Sequence, residues 1–273
     1  MAGKCSLCNM PEQSNIERAA DRLWQAAQTG VACQPIRDLL GVSDLSAAYA
    51  AQQINTDRKI KAGQQVVGCK IGLTSEAVQR QLSVDQPDFG ILTDAMEVEN
   101  GGTIAWDQLM QPKVEAEIAF VLSHDLDSDS ISMDELIQSI DCACSCIEVV
   151  GSRIEAWNIR LTDTIADNAS ASHFVMGSGR MSLDQTDLIN CRMTLRKNGE
   201  IASSGTGRAC LGNPLNAALW LARTMQGFGT PLRAGGVILA GALGPMVVGL
   251  PGDFYEAEID GLGLVSVSFG NNE

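Results

Sequence analysis

Histidine is nearly missing from this chain: His124 and His173 are the only two in 273 residues. A three-histidine zinc site is therefore excluded, and a Ser/His/Asp or Cys/His hydrolase would have to use one of these two. His124 sits in Ser123-His124-Asp125, where a surface loop is the plain expectation. Basic residues are also scarce, with 19 Lys and Arg against 33 Asp and Glu and a net charge of -14. Nucleic acid and anionic membrane surfaces need clustered positive charge, so neither is an expected partner. A GxSxG elbow, a Walker loop and a strand-linked GxGxxG are lacking too. Proton chemistry thus falls to Lys, Asp and Glu. An anionic substrate must find local positive charge, which a metal ion would supply.

Long apolar runs are missing as well. The longest uncharged stretch, residues 234 to 252, is broken by glycines and by Pro245 and Pro251, so it reads as buried strands and turns rather than a membrane span. The first eight residues carry no apolar segment of the secretory type, so the expected location is the cytoplasm and the nine cysteines are expected to be reduced thiols. Cys5 and Cys8 form a lone CxxC without a second pair at zinc-ribbon spacing. At 45% hydrophobic, the chain is long enough to bury one sizeable core.

Residues 1 to 14 read as a mobile tail. From residue 15 to 64 the pattern is helical. Ile16, Ala19, Ala20, Leu23, Trp24 and Ala27 share a face of a helix ending near Gly30, and Ser43 is positioned to cap a second helix that stops at Gly63. Residues 65 to 273 are rich in strand signals. A strand over residues 65–73 is followed by a short helix capped at Thr74 or Ser75 and running to Leu82, and then by a turn-rich loop over residues 85–90. Asn198-Gly199 marks a two-residue hairpin, and Asn213-Pro214 starts a helix with Leu215, Leu219, Ala222 and Met225 facing inward. Few crossover helices separate the strands, which predicts an α+β fold rather than a doubly wound sheet.

The most informative strand carries carboxylates. In residues 114–122, Glu115 and Glu117 fall on one face with Ala119 and Val121, roughly 6 to 7 Å apart at their Cα atoms. The other face, Ala116, Ile118, Phe120 and Leu122, is wholly apolar, so the strand is expected to be buried on both sides. A second segment, residues 146–150, places Glu148 alone among apolar and sulfur side chains, on the same face as Cys142, Cys144 and Cys146, which read as small buried fillers. Buried acids need partners. Three oxygen donors from two strands suit a hard divalent cation, Mg²⁺ or Mn²⁺, while solvated edge positions or arginine partners are the alternatives that spacing leaves open. Lys70 lies inside a strand between Gly68 and Gly72, which suggests open space around its stem and makes it a candidate acid or base.

These blocks together, GCKIGLTSEAVQRQLSVDQPDFG, PKVEAEIAFVL, EVVGSRIEAWNIRLTDTIADNAS and GALGPM, resemble the fumarylacetoacetate hydrolase family over nearly the whole chain after the first residues. The resemblance implies a mixed β-sandwich roll with a helical N-terminal region. It implies that Glu115, Glu117 and Glu148 are Mg²⁺ ligands, that Lys70 and Asp88 occupy acid/base positions, and that Ser170, with Gly241 and Leu243, contacts substrate. The likeness is strongest to the family's hydratases, which implies addition of water to 2-hydroxypenta-2,4-dienoate in a homo-oligomer, often a decamer, with a decarboxylase as a possible pathway partner. A 4-oxalocrotonate decarboxylase and a non-catalytic metal-binding scaffold are the competing readings. Two departures, Cys69 where relatives often carry Arg and Asn213 where they often carry His, bear on substrate preference rather than on the ligands.

Overall fold

The computed structural model describes residues 14–75, 79 and 86–272. The expected tail up to residue 13, the CxxC and most of the helix running to Leu82 lie outside the described residues; Ser14, expected in the tail, is the cap of the first helix.

Helix α1 (Asn15–Thr29) begins where Ser14 and Glu17 form a reciprocal capping box and ends at Gly30, whose φ of 68° suits a residue without a β-carbon. After a short helix, α2 (Arg37–Leu40), comes α3 (Leu45–Lys61). Its cap is Asp44 rather than Ser43, because the Asp44 carboxylate accepts from the Ala47 amide at 2.9 Å. These helices are not a free-standing unit. Ala19, Ala20, Leu23, Ala48 and Ala51 share a buried cluster with Ile154, Ile165 and Ala166 from the middle of the chain. The fully buried Asp163 pins the junction, accepting from the backbone amides of Ile36, Arg37 and Arg160 and pairing with the Arg37 guanidinium. Asp163→Ala leaves three amides without their acceptor and that guanidinium with only Asn158, so unfolding by denaturant should show a loss of about 3–5 kcal/mol.

Among the described residues, one eight-stranded sheet runs in the order β2 (Asp88–Thr93), β1 (Val66–Gly72), β10 (Val237–Ala242), β5 (Lys113–Leu122), β6 (Ile140–Val150), β7 (Ala171–Met176) and β3 (Glu97–Val98), with β11 (Val247–Val248) also on β5. A five-stranded sheet runs β4 (Thr103–Ile104), β13 (Gly263–Phe269), β12 (Phe254–Ile259), β8 (Arg192–Lys197) and β9 (Glu200–Thr206). The hairpin at Asn198-Gly199 joins β8 to β9 as the dipeptide predicts. Ile118, Phe120, Ala143 and Ile147 from the large sheet share a core with Leu195, Tyr255, Ala257, Val265 and Val267 from the small one, so the two sheets pack as a mixed sandwich. The α+β expectation and the sandwich with a helical N-terminal part hold.

The alternation along β5 decides where the acids point. Its apolar face packs on the small sheet, so Glu115 and Glu117 project from the opposite face, which is covered by the segment around residues 157–170. Helix α6 (Pro214–Gly227), counted after α4 (Met133–Ser139) and α5 (Leu161–Ala166), starts with Asn213 as cap and Pro214 in its first turn. Its buried stripe is Leu215, Ala218, Leu221, Ala222 and Met225, whereas Leu219, expected inside, is only partly buried. No helix among the described residues is long and apolar enough to cross a membrane.

Candidate active site

Central strands β5 and β6 pair antiparallel with Glu115 directly opposite Glu148. Two like charges facing each other across a ladder repel, and here the pair also stands beside Glu117. One carboxylate oxygen from each of Glu115, Glu117 and Glu148 lies within 4.8 Å of the others. Glu117 and Glu148 are 0% and 1% exposed; Glu117 Oε1 and Glu148 Oε2 have no hydrogen-bond partner, and Glu148 Oε1 faces only the Lys70 ammonium at 3.3 Å. Burial first, and then the charge of Glu148, pushes Glu115 up to about 7; burial and the neighbouring acids hold Glu117 well above the usual carboxylate range, and burial raises Glu148 as well. Carboxylate oxygens converging at this spacing, two of the three residues buried, fit a hard divalent cation.

The backbone is shaped to hold one of these ligands. Between Leu239 and Ala242, β10 carries one residue more than β5 opposite it, and this bulge contains Gly241 at φ 108°. The bulge turns the Gly241 amide onto Glu117 Oε2 at 2.8 Å, and a β-carbon there would stand 2.2 Å from the Thr74 hydroxyl. Gly241 thus positions a ligand carboxylate. Leu243, expected at the substrate, is instead fully buried in the core with its amide on the Ala116 carbonyl, and its neighbour Ala242 faces the cavity.

Lys70 rises from β1 onto the same group, its Nζ 3.3 Å from Glu148 Oε1 with 4% of the side chain exposed. Burial lowers its pKa, but Glu148, Asp88, Glu115 and Glu117 outweigh that and keep the ammonium above its ordinary range. The flanking glycines do not open space for a ligand, as their sequence position suggested. A β-carbon on Gly68 would meet the Val237 carbonyl oxygen at 2.0 Å, so that glycine lets β1 approach β10. A β-carbon on Gly72 would stand 2.1 Å from Asp88 Oδ1 and 3.5 Å from Lys70 Nζ, so that glycine lets acid and lysine come together. Asp88 opens strand β2 rather than lying in a loop; it is 1% exposed, and burial raises its pKa. Burial thus favours its protonated form more than in water, while the Lys70 charge opposes this.

Opposite stands Ser170, 4% exposed and 3.5 Å from the Thr164 hydroxyl. It ends a left-handed turn in which Asn168, Ala169 and Ser170 have φ of 57°, 49° and 56°, a conformation non-glycine residues rarely adopt in succession. Tertiary bonds impose it. The Asn168 side chain accepts from the Ile91 amide at 2.8 Å and donates to the Ile91 carbonyl at 2.9 Å, while Arg153 clamps the preceding Asp167. The turn is therefore strapped to the strand that carries Asp88. Lys70, Asp88, Glu115, Glu117 and Ser170 line one cavity of about 250 Å³, with Glu148 against Lys70. Thr164, Trp157, Met246 and Lys113 line it too, and reasoning from the sequence missed them. Lys113 alone had a signal, since it precedes Glu115 by two on the same strand face.

With Glu115 pushed up to about 7 by burial and Glu148, cation binding must displace a proton below this pH. Apparent Mg²⁺ affinity should therefore fall by at least about tenfold per pH unit below neutrality, Glu117 and Glu148 being raised too, measured by calorimetry between pH 6 and 8. The raised Glu115 also sets a sign for the cation-free fold: its contribution is fully present below the ordinary carboxylate range and is lost as pH rises through about 7.

Residues 59–269 match the model of the fumarylacetoacetate (FAA) hydrolase C-terminal family. The chain is 52% identical over 254 residues to a TodF product hydratase of Pseudomonas putida strain F1, covering 93% of this chain and 95% of the relative. It is 51% identical over 257 residues to a 2-keto-4-pentenoate hydratase of Paraburkholderia xenovorans strain LB400, covering 94% and 96%. Among solved structures it is similar to a 4-oxalocrotonate decarboxylase from Pseudomonas putida G7 complexed with magnesium and adipate, with a TM-score of 0.89, 32% identity, and 93% and 97% of the two chains covered.

Proposed function

The chain belongs to the fumarylacetoacetate hydrolase family, and from that footing we propose that it is a divalent-metal-dependent hydratase, converting 2-hydroxypenta-2,4-dienoate, the enol of 2-keto-4-pentenoate, to 4-hydroxy-2-oxopentanoate after ring cleavage of aromatic compounds. The observation that carries the reading is the convergence of three ligand carboxylates with Lys70, Asp88 and Ser170 around one small cavity. Glu115, Glu117 and Glu148 would hold the cation, which we take to be Mg²⁺ or Mn²⁺. When bound, it supplies a Lewis acid for the substrate's carboxylate and C2 oxygen.

The chain's own groups then move protons. The enol proton leaves O2 and a proton is delivered at C5, giving an unsaturated 2-oxo acid. Water next adds its oxygen at C4 while C3 takes a proton, so the sum is the dienol plus one water. Asp88, with its raised pKa, is suited to carry a proton in both directions, and the Lys70 ammonium stabilises the enolate charge or donates beside it. Ser170 orients the substrate from the opposite wall. In this reading the protein works in the cytoplasm as a homo-oligomer, beside a decarboxylase that supplies the dienol.

Incubation of the dienol with Mg²⁺-loaded protein in H₂¹⁸O should place the label on the C4 hydroxyl after allowance for exchange at the ketone. The decarboxylase alternative, prompted by the 0.89 TM-score, predicts CO₂ release from 4-oxalocrotonate without hydration of the dienol.

A further inference from the structure

A small carboxylate that enters this cavity meets Glu115, Glu117, Glu148 and Asp88 in a chain of net charge -14. Lys70 does little to attract it, because its ammonium is buried and already sits 3.3 Å from Glu148. The other basic residue of the lining is Lys113. It opens β5 on the face shared with Glu115 and Glu117, and it is only partly buried.

Lys113 is held in an unusual way for a cation in so acidic a surrounding. Among the described residues it forms no ion pair; its Nζ instead lies 4.0 Å from the centroid of the Trp157 ring. That ring is a fixed platform. Trp157 Nε1 donates to the Gln111 carbonyl at 3.0 Å, and the Gln111 side chain in turn donates to the carbonyls of Ser152 and Ile154, both at 2.8 Å. Ala156 and Trp157 both take the left-handed conformation, at φ 54°, that presents the ring to the lysine. An ammonium resting on an aromatic face keeps N–H donors for a third party, whereas one paired with a carboxylate has already committed them; Lys113 feels Glu115 only through space.

We propose that Lys113, seated on Trp157, is a substrate-binding residue that draws in and holds the carboxylate of the small 2-oxo or 2-hydroxy acid. The identity of that acid rests on the hydratase reading; the anion site itself does not. The arrangement also separates two tasks. Lys70 serves the reacting atoms from the floor, and Lys113 supplies the attraction that the acidic chain otherwise lacks.

The test uses the Mg²⁺-loaded full chain and two variants, Lys113→Met and Lys113→Arg, read in two ways. In steady-state hydration of the dienol, Lys113→Met should raise KM by about 10- to 100-fold, the scale of a lost charge-assisted hydrogen bond, while kcat stays within about threefold. The fall of kcat/KM with added salt should flatten in Lys113→Met and persist in Lys113→Arg. By calorimetry, binding of the non-reacting 2-oxopentanoate to the Mg²⁺-loaded protein should weaken on the same scale. Mg²⁺ itself should bind Lys113→Met at least as tightly as wild type, because a positive charge near Glu115 has gone; general damage to the site would weaken it.

An unchanged KM and salt slope, or a loss confined to kcat, would overturn the proposal. Failure of the wild type to hydrate the dienol would sink the hydratase reading but leave the calorimetric comparison with 2-oxopentanoate to decide on Lys113.

Discussion

Glu115→Gln should weaken Mg²⁺ binding and at the same time stabilise the cation-free protein. Changing even an outer partner of a metal ligand typically costs about 10- to 100-fold, and Glu115 is proposed as a direct donor, so a loss of at least about 100-fold in affinity is expected, with turnover falling alongside. The second effect follows from register. Glu115 faces Glu148 across the β5–β6 ladder, and neutralising the partly buried Glu115 beside the buried Glu148 removes a repulsion that Lys70 and Lys113 only partly offset. Equilibrium dialysis and thermal melts in chelator would read the two together. A variant that binds Mg²⁺ like wild type, or chelator-treated wild type with full activity, would remove these acids from the metal site. Glu117→Gln and Glu148→Gln should also lose the cation, but each has a further partner, the Gly241 amide or Lys70, so the gain in cation-free stability belongs to Glu115→Gln.

The second large effect is expected at Lys70. Lys70→Met should keep the cation-loaded fold and lower turnover by about 10²- to 10⁴-fold, the usual contribution of a proton-transferring group. Lys70→Arg should not restore it. The planar fork is larger than an ammonium, and the space around Nζ is already shared by Glu148 and Asp88, with Gly72 glycine because of that crowding. Stopped-flow turnover with circular dichroism and metal analysis on the same sample would separate chemistry from folding. Wild-type turnover in Lys70→Met would make the lysine structural and leave Asp88 as the sole proton carrier.

Much of this site was legible because strands have a period of two. That period put Glu115 and Glu117 on one face and an unbroken apolar face behind them, and the fold obeys it because the small sheet needs that apolar face. The Asn198-Gly199 hairpin and the Asn213-Pro214 helix start were legible for a similar reason: each is decided by a few neighbouring residues. What the sequence hid is set by tertiary approach. Gly68 reads the same whether it makes room for a ligand or for the β10 backbone, and only the strand order separates the two. Leu243 follows a bulge whose extra residue is invisible until β10 is laid against β5. Asp88 reads as a loop residue because Pro87 and the turn residues before it dominate the local pattern, whereas pairing with β1 makes it the first residue of a strand.

The left-handed turn at residues 168–170 also limits which amino acids evolution can place there. Threonine carries the same hydroxyl as serine, yet its branched β-carbon is a poor fit to the φ of 56° found at Ser170. At this position the backbone has narrowed the alphabet before chemistry makes any choice. A serine retained here across descendants of this chain would look like a demand of catalysis, when part of that demand comes from the Asn168 side chain gripping Ile91 and holding three residues in a conformation they would otherwise leave.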